Sequence, residues 1–251
     1  MARVIAVVSG KGGTGKTTTS VNLAAALSDF GEDTLLIDAD LQTPSVSVHL
    51  GEPEIPVTLT EFIKGTDKLK NAIYRTTMGF KLLPASLGSV EFGREIKRLK
   101  TAINKARKLA DYIVIDCPPG LGKEMHLVLQ ECDEVLVVTN PELPAIADGI
   151  KSIKLAERYD KTVLGVVVNK AVNQSFECPP AEVEALLNYP IIAALPSEKS
   201  VKIALKNNKA VTHHAPRSKY SRNIRKLAAR LTHRPYKDET NSIFGRIFKR
   251  W

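Results

Sequence analysis

Residues 9–19 read SGKGGTGKTTT, and the fold turns on that stretch. Gly10, Gly15, Lys16 and Thr17 complete the spacing G-x-x-x-x-G-K-[ST], with Lys11, Gly12, Gly13 and Thr14 inside it. Ahead of it, Arg3–Ser9 is a β-branched apolar run of strand length; behind it, helical periodicity runs from Lys16 to about Phe30. A glycine loop between strand and helix lets successive amides turn inward around an anion, beside the positive end of the helix. In that arrangement Lys16 neutralises β- and γ-phosphates, the Thr17 hydroxyl holds Mg²⁺ and Thr18 extends the contact. Lys11 is left over, because the spacing needs one lysine and the stretch has two.

Outward from the loop the pattern repeats. Thr34–Asp38, Phe80–Pro84, Tyr112–Asp116, Glu134–Asn140, Thr162–Asn169 and Ile191–Pro196 are near-continuous apolar runs, each closed by Gly, Pro, Asn or Asp. Helical patterns fall between them at about 90–109, 122–132, 144–159, 180–188 and 218–231. Runs buried on both faces require helices above and below a parallel sheet, so the expected fold is α/β: one doubly wound, mostly parallel sheet over residues 1–231. Ligands of such sheets bind past the carboxyl ends of the strands. Three acids stand there, Asp38, Asp40 and Asp116, able to organise the water shell of Mg²⁺ or an attacking water.

Bulk properties agree with one large domain. The chain has 251 residues, 43% of them hydrophobic, enough to bury a proper core. No run approaches the ~20 apolar residues that span a bilayer, and the opening MARVIAVVSG is too short for a signal core, so a cytoplasmic protein is expected. Cys117, Cys132 and Cys178 form no C-x-x-C pair and are expected to be reduced. His213, His214 and His233 suggest no metal site, and the cations of 97–108 suggest a solvated helical face.

Charge is concentrated at one end. Residues 202–251 carry fourteen Lys/Arg against Asp238 and Glu239, a net +12 of the chain's +9, leaving −3 for residues 1–201. The last twelve residues, TNSIFGRIFKRW, place Ile243, Phe244, Ile247, Phe248 and Trp251 within about 140° of a helical wheel, with Arg246, Lys249 and Arg250 outside that arc. Bulky apolar residues backed by cations suit the headgroup boundary of an anionic bilayer. Residues 232–239 read as a polar tether to this segment, 240–251. The basic stretch 217–237 would be solvated, or meet lipid headgroups or DNA.

KGGTGKTT with its extra lysine, then LLIDADLQTPSVSVHLG, IVIDCPPGL, VTNPELPAIAD and GVVVNK in that order, resembles the deviant Walker A ATPases of the MinD/ParA family, the MinD branch and its archaeal members above all. The resemblance implies a P-loop NTPase that binds ATP/ADP and Mg²⁺ and dimerises around ATP. Lys11 would then reach the partner's nucleotide. Asp40 would help position the hydrolytic water in the first switch, and Asp116 would begin the second. Asn169 with the loop Pro196–Glu198 would hold adenine, Asp148 would contact the signature lysine, and Glu142 would lie near the dimer's nucleotide face.

The second switch usually reads D-x-P-A-G in that family; Asp116-Cys117-Pro118-Pro119-Gly120 carries a further proline, which fixes another φ and removes another donor. The function expected is a membrane-cycling ATPase switch that positions or recruits partner proteins, slow without an activator. The alternatives are a DNA- or cargo-partitioning ATPase, an iron–sulfur carrier for which the cysteines do not match, and a small-molecule ligase that would leave the C-terminal segment without a role.

Overall fold

The computed structural model describes residues 2–52, 55–87 and 96–236. The expected membrane segment, 240–251, lies outside them, as do residues 237–239 of the tether and the start of the expected 90–109 helix.

Nineteen elements follow one another among the described residues: β1 (Arg3–Val8), α1 (Lys16–Asp29), β2 (Thr34–Asp38), α2 (Val46–His49), α3 (Leu59–Lys64), a 3₁₀ turn (Leu69–Ala72), β3 (Tyr74–Arg75), β4 (Lys81–Leu83), α4 (Arg98–Ala106), β5 (Tyr112–Asp116), α5 (Lys123–Glu131), β6 (Glu134–Thr139), α6 (Leu143–Arg158), β7 (Thr162–Ala171), α7 (Pro180–Leu187), β8 (Ile191–Pro196), α8 (Lys199–Lys206), α9 (Val211–His214) and α10 (Lys219–Leu231). The strands form one sheet in the order β3-β4-β2-β5-β1-β6-β7-β8. Every pairing is parallel except the β3–β4 ribbon at one edge. This is the doubly wound α/β sheet the apolar runs predict.

Side-chain alternation divides each strand between two cores. Val4, Ala6 and Val8 of β1 enter the core covered by α3 to α7. Ile5 and Val7 enter the other, covered chiefly by α1, α9 and α10. A strand sandwiched this way has no wet face, which is why its sequence lacks polar alternation. The same division explains α10, whose Tyr220, Ile224, Leu227, Ala228 and Leu231 pack inward while Lys219, Lys226 and Arg230 lie exposed.

The topology also fixes where chemistry can occur. β1 lies between β5 and β6, and the chain winds to one side of it through β5 and to the other from β6 onward. The loop after β1 therefore opens at the point where winding reverses, the crevice such sheets offer to ligands.

Candidate functional site

Ser9–Gly15 leave β1 as a tight loop that delivers Lys16 to the first turn of α1. Gly15 has φ +89°, and an added Cβ would lie 2.0 Å from Asn169 Nδ2, so only glycine fits. Gly10 packs so closely on α6 that its Cβ would lie 2.2 Å from the Asp148 carbonyl oxygen. Over Gly12 and Gly13, by contrast, there is open space. Thr19 N donates to Gly15 O at 2.9 Å and Ser9 Oγ to Lys11 O at 3.0 Å, while Ser20 Oγ lies 3.0 Å from Lys16 O. Among the described residues the amides of Gly12 to Lys16 have no backbone carbonyl as partner, and Thr14 Oγ1 is buried with none. Carbonyls engaged outward and amides left facing an open concavity form the donor set that a polyphosphate requires.

Beneath the loop, five polar side chains converge. Lys16 Nζ and Ser20 Oγ donate to Asp116 Oδ1 at 3.0 and 2.9 Å; Thr17 Oγ1 donates to Asp116 Oδ2 at 2.7 Å and lies 3.0 Å from Ser45 Oγ. Burial works against the Lys16 charge, but the Asp116 carboxylate outweighs it and holds the ammonium's pKa above its ordinary value. Asp116 thus sits directly against Lys16 and Thr17, as its strand-end position suggested.

Asp38 lies beside it in the β2–β5 ladder, where the two aspartates are register partners. Its Oδ1 accepts from Asp40 N at 3.1 Å, and Oδ2 accepts from Ser45 N and Val46 N at 3.1 and 3.0 Å. Asp38 therefore closes the 40–45 loop and caps the start of α2. Burial first, then the like charge of Asp116, push its carboxyl up to about 7. Asp40 accepts from Thr43 N and Thr43 Oγ1, both at 2.9 Å. The three acids share one sheet edge, but each carboxylate is engaged with a different set of donors. Among the described residues no group of three or more His, Cys, Asp or Glu side chains forms a metal cage. Mg²⁺ held here would take Thr17 and one of these carboxylates, completing its shell with phosphate and water, as this hard, well-hydrated ion commonly does.

The two lysines of the loop have different surroundings. Lys16 is 8% exposed, whereas Lys11 is 35% exposed at the rim, its Nζ 3.8 Å from Glu142, itself 62% exposed. Asp148, expected to contact Lys11, instead pairs with Lys151 at 2.9 Å.

A cavity of about 550 Å³ runs from the loop toward β8 and α8, lined by Thr17, Asn169, Lys170, Pro196, Ser197 and Glu198 among others. The residues expected to hold adenine are thus continuous with the phosphate loop. Asn169 donates through Nδ2 to Thr14 O at 2.7 Å. Glu198 accepts from Lys219 N at 3.2 Å and Tyr220 N at 3.4 Å, so its carboxylate is committed to the first turn of α10.

Several site residues escaped the sequence reading. Ser20 and Ser45 meet Asp116 and Thr17 as described, and Asn140 and Lys170 reach the phosphate loop. Asn140 follows an apolar run just as Asp116 does, and Lys170 follows Asn169, so strand-end position was the available signal.

Comparison with known proteins leads to the same place. A family model described as ParA, NUBPL iron-transfer P-loop NTPase, matches residues 1–232. An uncharacterized ATP-binding protein of Methanocaldococcus jannaschii is 34% identical across 99% of this chain and 96% of its own length. The septum site-determining protein MinD of Thermotoga maritima is 32% identical across 92% of this chain and 88% of its own. Among solved structures, the septum site-determining protein MinD of Pyrococcus horikoshii, complexed with Mg-ADP, superposes with a TM-score of 0.85 at 28% identity, covering 98% of this chain and all of that one.

Proposed function

The chain belongs to the ParA family of P-loop NTPases, and from that premise we propose that it is a MinD-like switch: an ATPase that dimerises around ATP, binds an anionic membrane surface reversibly, and positions or recruits partner proteins. ATP/ADP with Mg²⁺ is the family's nucleotide and metal pair, and the donor set of the loop fits it. In this reading the loop amides and Lys16 hold the phosphates, Thr17 holds Mg²⁺, and the ion supplies charge neutralisation at the γ-phosphate. Asp40 and Asp116 orient water, and hydrolysis is slow until a partner stimulates it.

The observation that carries the reading is the contrast between the lysines. Lys16 is buried on Asp116, and Lys11 stands half-exposed at the rim beside an exposed acid. A cation in that position is accessible to a second molecule, and a second copy of this chain brings a phosphate site of its own. Dimerisation would double the number of C-terminal segments and raise the effective concentration of the second once the first is bound. Among the described residues no helix is long and apolar enough to cross a membrane, so attachment would be peripheral.

The test is co-sedimentation of the full chain with anionic liposomes. Greater pelleting with ATP than with ADP, lost on deletion of residues 243–251, is expected; equal pelleting with both nucleotides refutes the switch.

A DNA-partitioning reading draws on the exposed cations of α10, Lys219, Lys226 and Arg230. It would be favoured by salt-sensitive, ATP-dependent DNA retention without liposome binding. Iron transfer fits poorly. Cys117 and Cys132 are buried, and burial pushes the first thiol well above its ordinary range and the second up to about 12, so neither is a ready thiolate ligand.

A further inference from the structure

Two carbonyls of the phosphate loop are held from outside by side chains at the ends of other strands. Lys170 Nζ donates to Gly13 O at 2.6 Å. Thr14 O accepts from Asn169 Nδ2 at 2.7 Å and from Asn140 Nδ2 at 3.3 Å, and Asn140 Nδ2 also donates to Asn169 O at 3.0 Å. Asn140 follows β6; Asn169 and Lys170 end β7. The two strands thus grip the loop that leaves β1.

The geometry of the peptide unit gives this grip a direction. Because the unit is planar and trans, the C=O of one residue and the N–H of the next point oppositely. Drawing Gly13 O and Thr14 O outward turns the amides of Thr14 and Gly15 inward, over the open space above Gly12 and Gly13. We propose that Asn140 and Lys170 are positioning residues that preset these two amides for a polyphosphate chain. This rests on the reading of the loop as a nucleotide site. An amide already aimed needs no reorientation when the anion arrives, so binding is stronger than for a loop that must first be ordered.

The backbone at Lys170 supports the assignment. Its φ is +60°, a left-handed conformation unfavourable for a residue with a Cβ. The side chain is nonetheless directed to one carbonyl of the loop, a contact that a merely solvated lysine would not require.

Calorimetric titration of the full chain with ADP, and separately with inorganic pyrophosphate, tests the proposal. Lys170→Met and Asn140→Ala should each weaken both ligands by a similar factor, about tenfold for one lost hydrogen bond to a strained loop. Lys170→Arg, which keeps a donor, should recover most of the loss. In steady-state hydrolysis the two weakened variants should raise KM for ATP with kcat nearly unchanged, since the amides grip ground and transition states alike. Unchanged affinities in both would overturn the grip. A loss in Lys170→Met alone would overturn it too, in favour of simple attraction by charge. Lys170 is exposed, so its variants keep the fold even if Asn140→Ala does not. Failure of the wild-type chain to bind either ligand would sink the nucleotide reading itself.

Discussion

Lys16 and Asp116 meet at 3.0 Å with both side chains buried, 8% and 0% exposed, and they come from residues one hundred apart in the chain. An ion pair so enclosed adds little by being present, but it is costly to break, because the survivor is left charged without water. Asp116→Ala should therefore lower unfolding free energy by about 3–5 kcal/mol. Asp116→Asn, which keeps the shape and one acceptor, should lose less stability and still lose most hydrolysis. Denaturant titration and phosphate release distinguish the two effects.

Lys11 offers the opposite case. Its pairing with Glu142 is long and wet, and such surface pairs contribute about 0–1 kcal/mol. Lys11→Ala should leave the denaturation midpoint almost unmoved while abolishing the ATP-dependent rise in mass seen by light scattering. A variant that still doubles its mass would show that the lysine does not serve the second subunit.

Asp38 makes a pH prediction whose sign is the reverse of the usual carboxylate. Its folded pKa is raised to about 7, so the folded state holds the proton more tightly than the unfolded chain, whose aspartates titrate near 3.9. The stability this contributes is complete below about pH 4 and is lost as pH rises through about 7. In EDTA the unfolding free energy of the wild type should therefore fall, relative to that of Asp38→Asn, between about pH 4 and 7. Chemical denaturation at four or five pH values gives the difference curve. A flat difference would mean that the carboxyl is already ionised at low pH.

The cysteines predict a thiol count. Cys178 is partly exposed while Cys117 and Cys132 are buried, and burial holds both of the latter far from thiolate at neutral pH. An aromatic disulfide reagent should titrate one thiol in the native protein and three in denaturant. Two fast thiols would reopen the case for metal or cluster chemistry.

Much of the architecture was legible because a sheet covered on both faces writes itself as apolar runs, and all of those runs became strands. The phosphate loop was legible because its spacing is dictated by the anion it holds. What stayed hidden is built across the chain rather than along it. Four-residue α2 has no period to detect; it begins where Asp38, eight residues earlier, accepts the amide of Val46. Asp38 itself reads like a metal ligand, since nothing in LLIDAD distinguishes an acid that binds an ion from one that fastens a loop. Lys170 is one lysine among many until β7 lies near β1, and Asn140 carries no charge that would mark it in the sequence.

Glu198 connects the cavity wall with the last helix of the domain. Its carboxylate receives the amides of Lys219 and Tyr220, while its own segment lines the cavity beside the phosphate loop. The first turn of α10 is thus anchored to the wall of that cavity, and the same helix carries the exposed cations Lys219, Lys226 and Arg230. A displacement of the wall must either break both hydrogen bonds or pull the helix with it. Glu198 thereby ties the wall of the cavity to the position of α10.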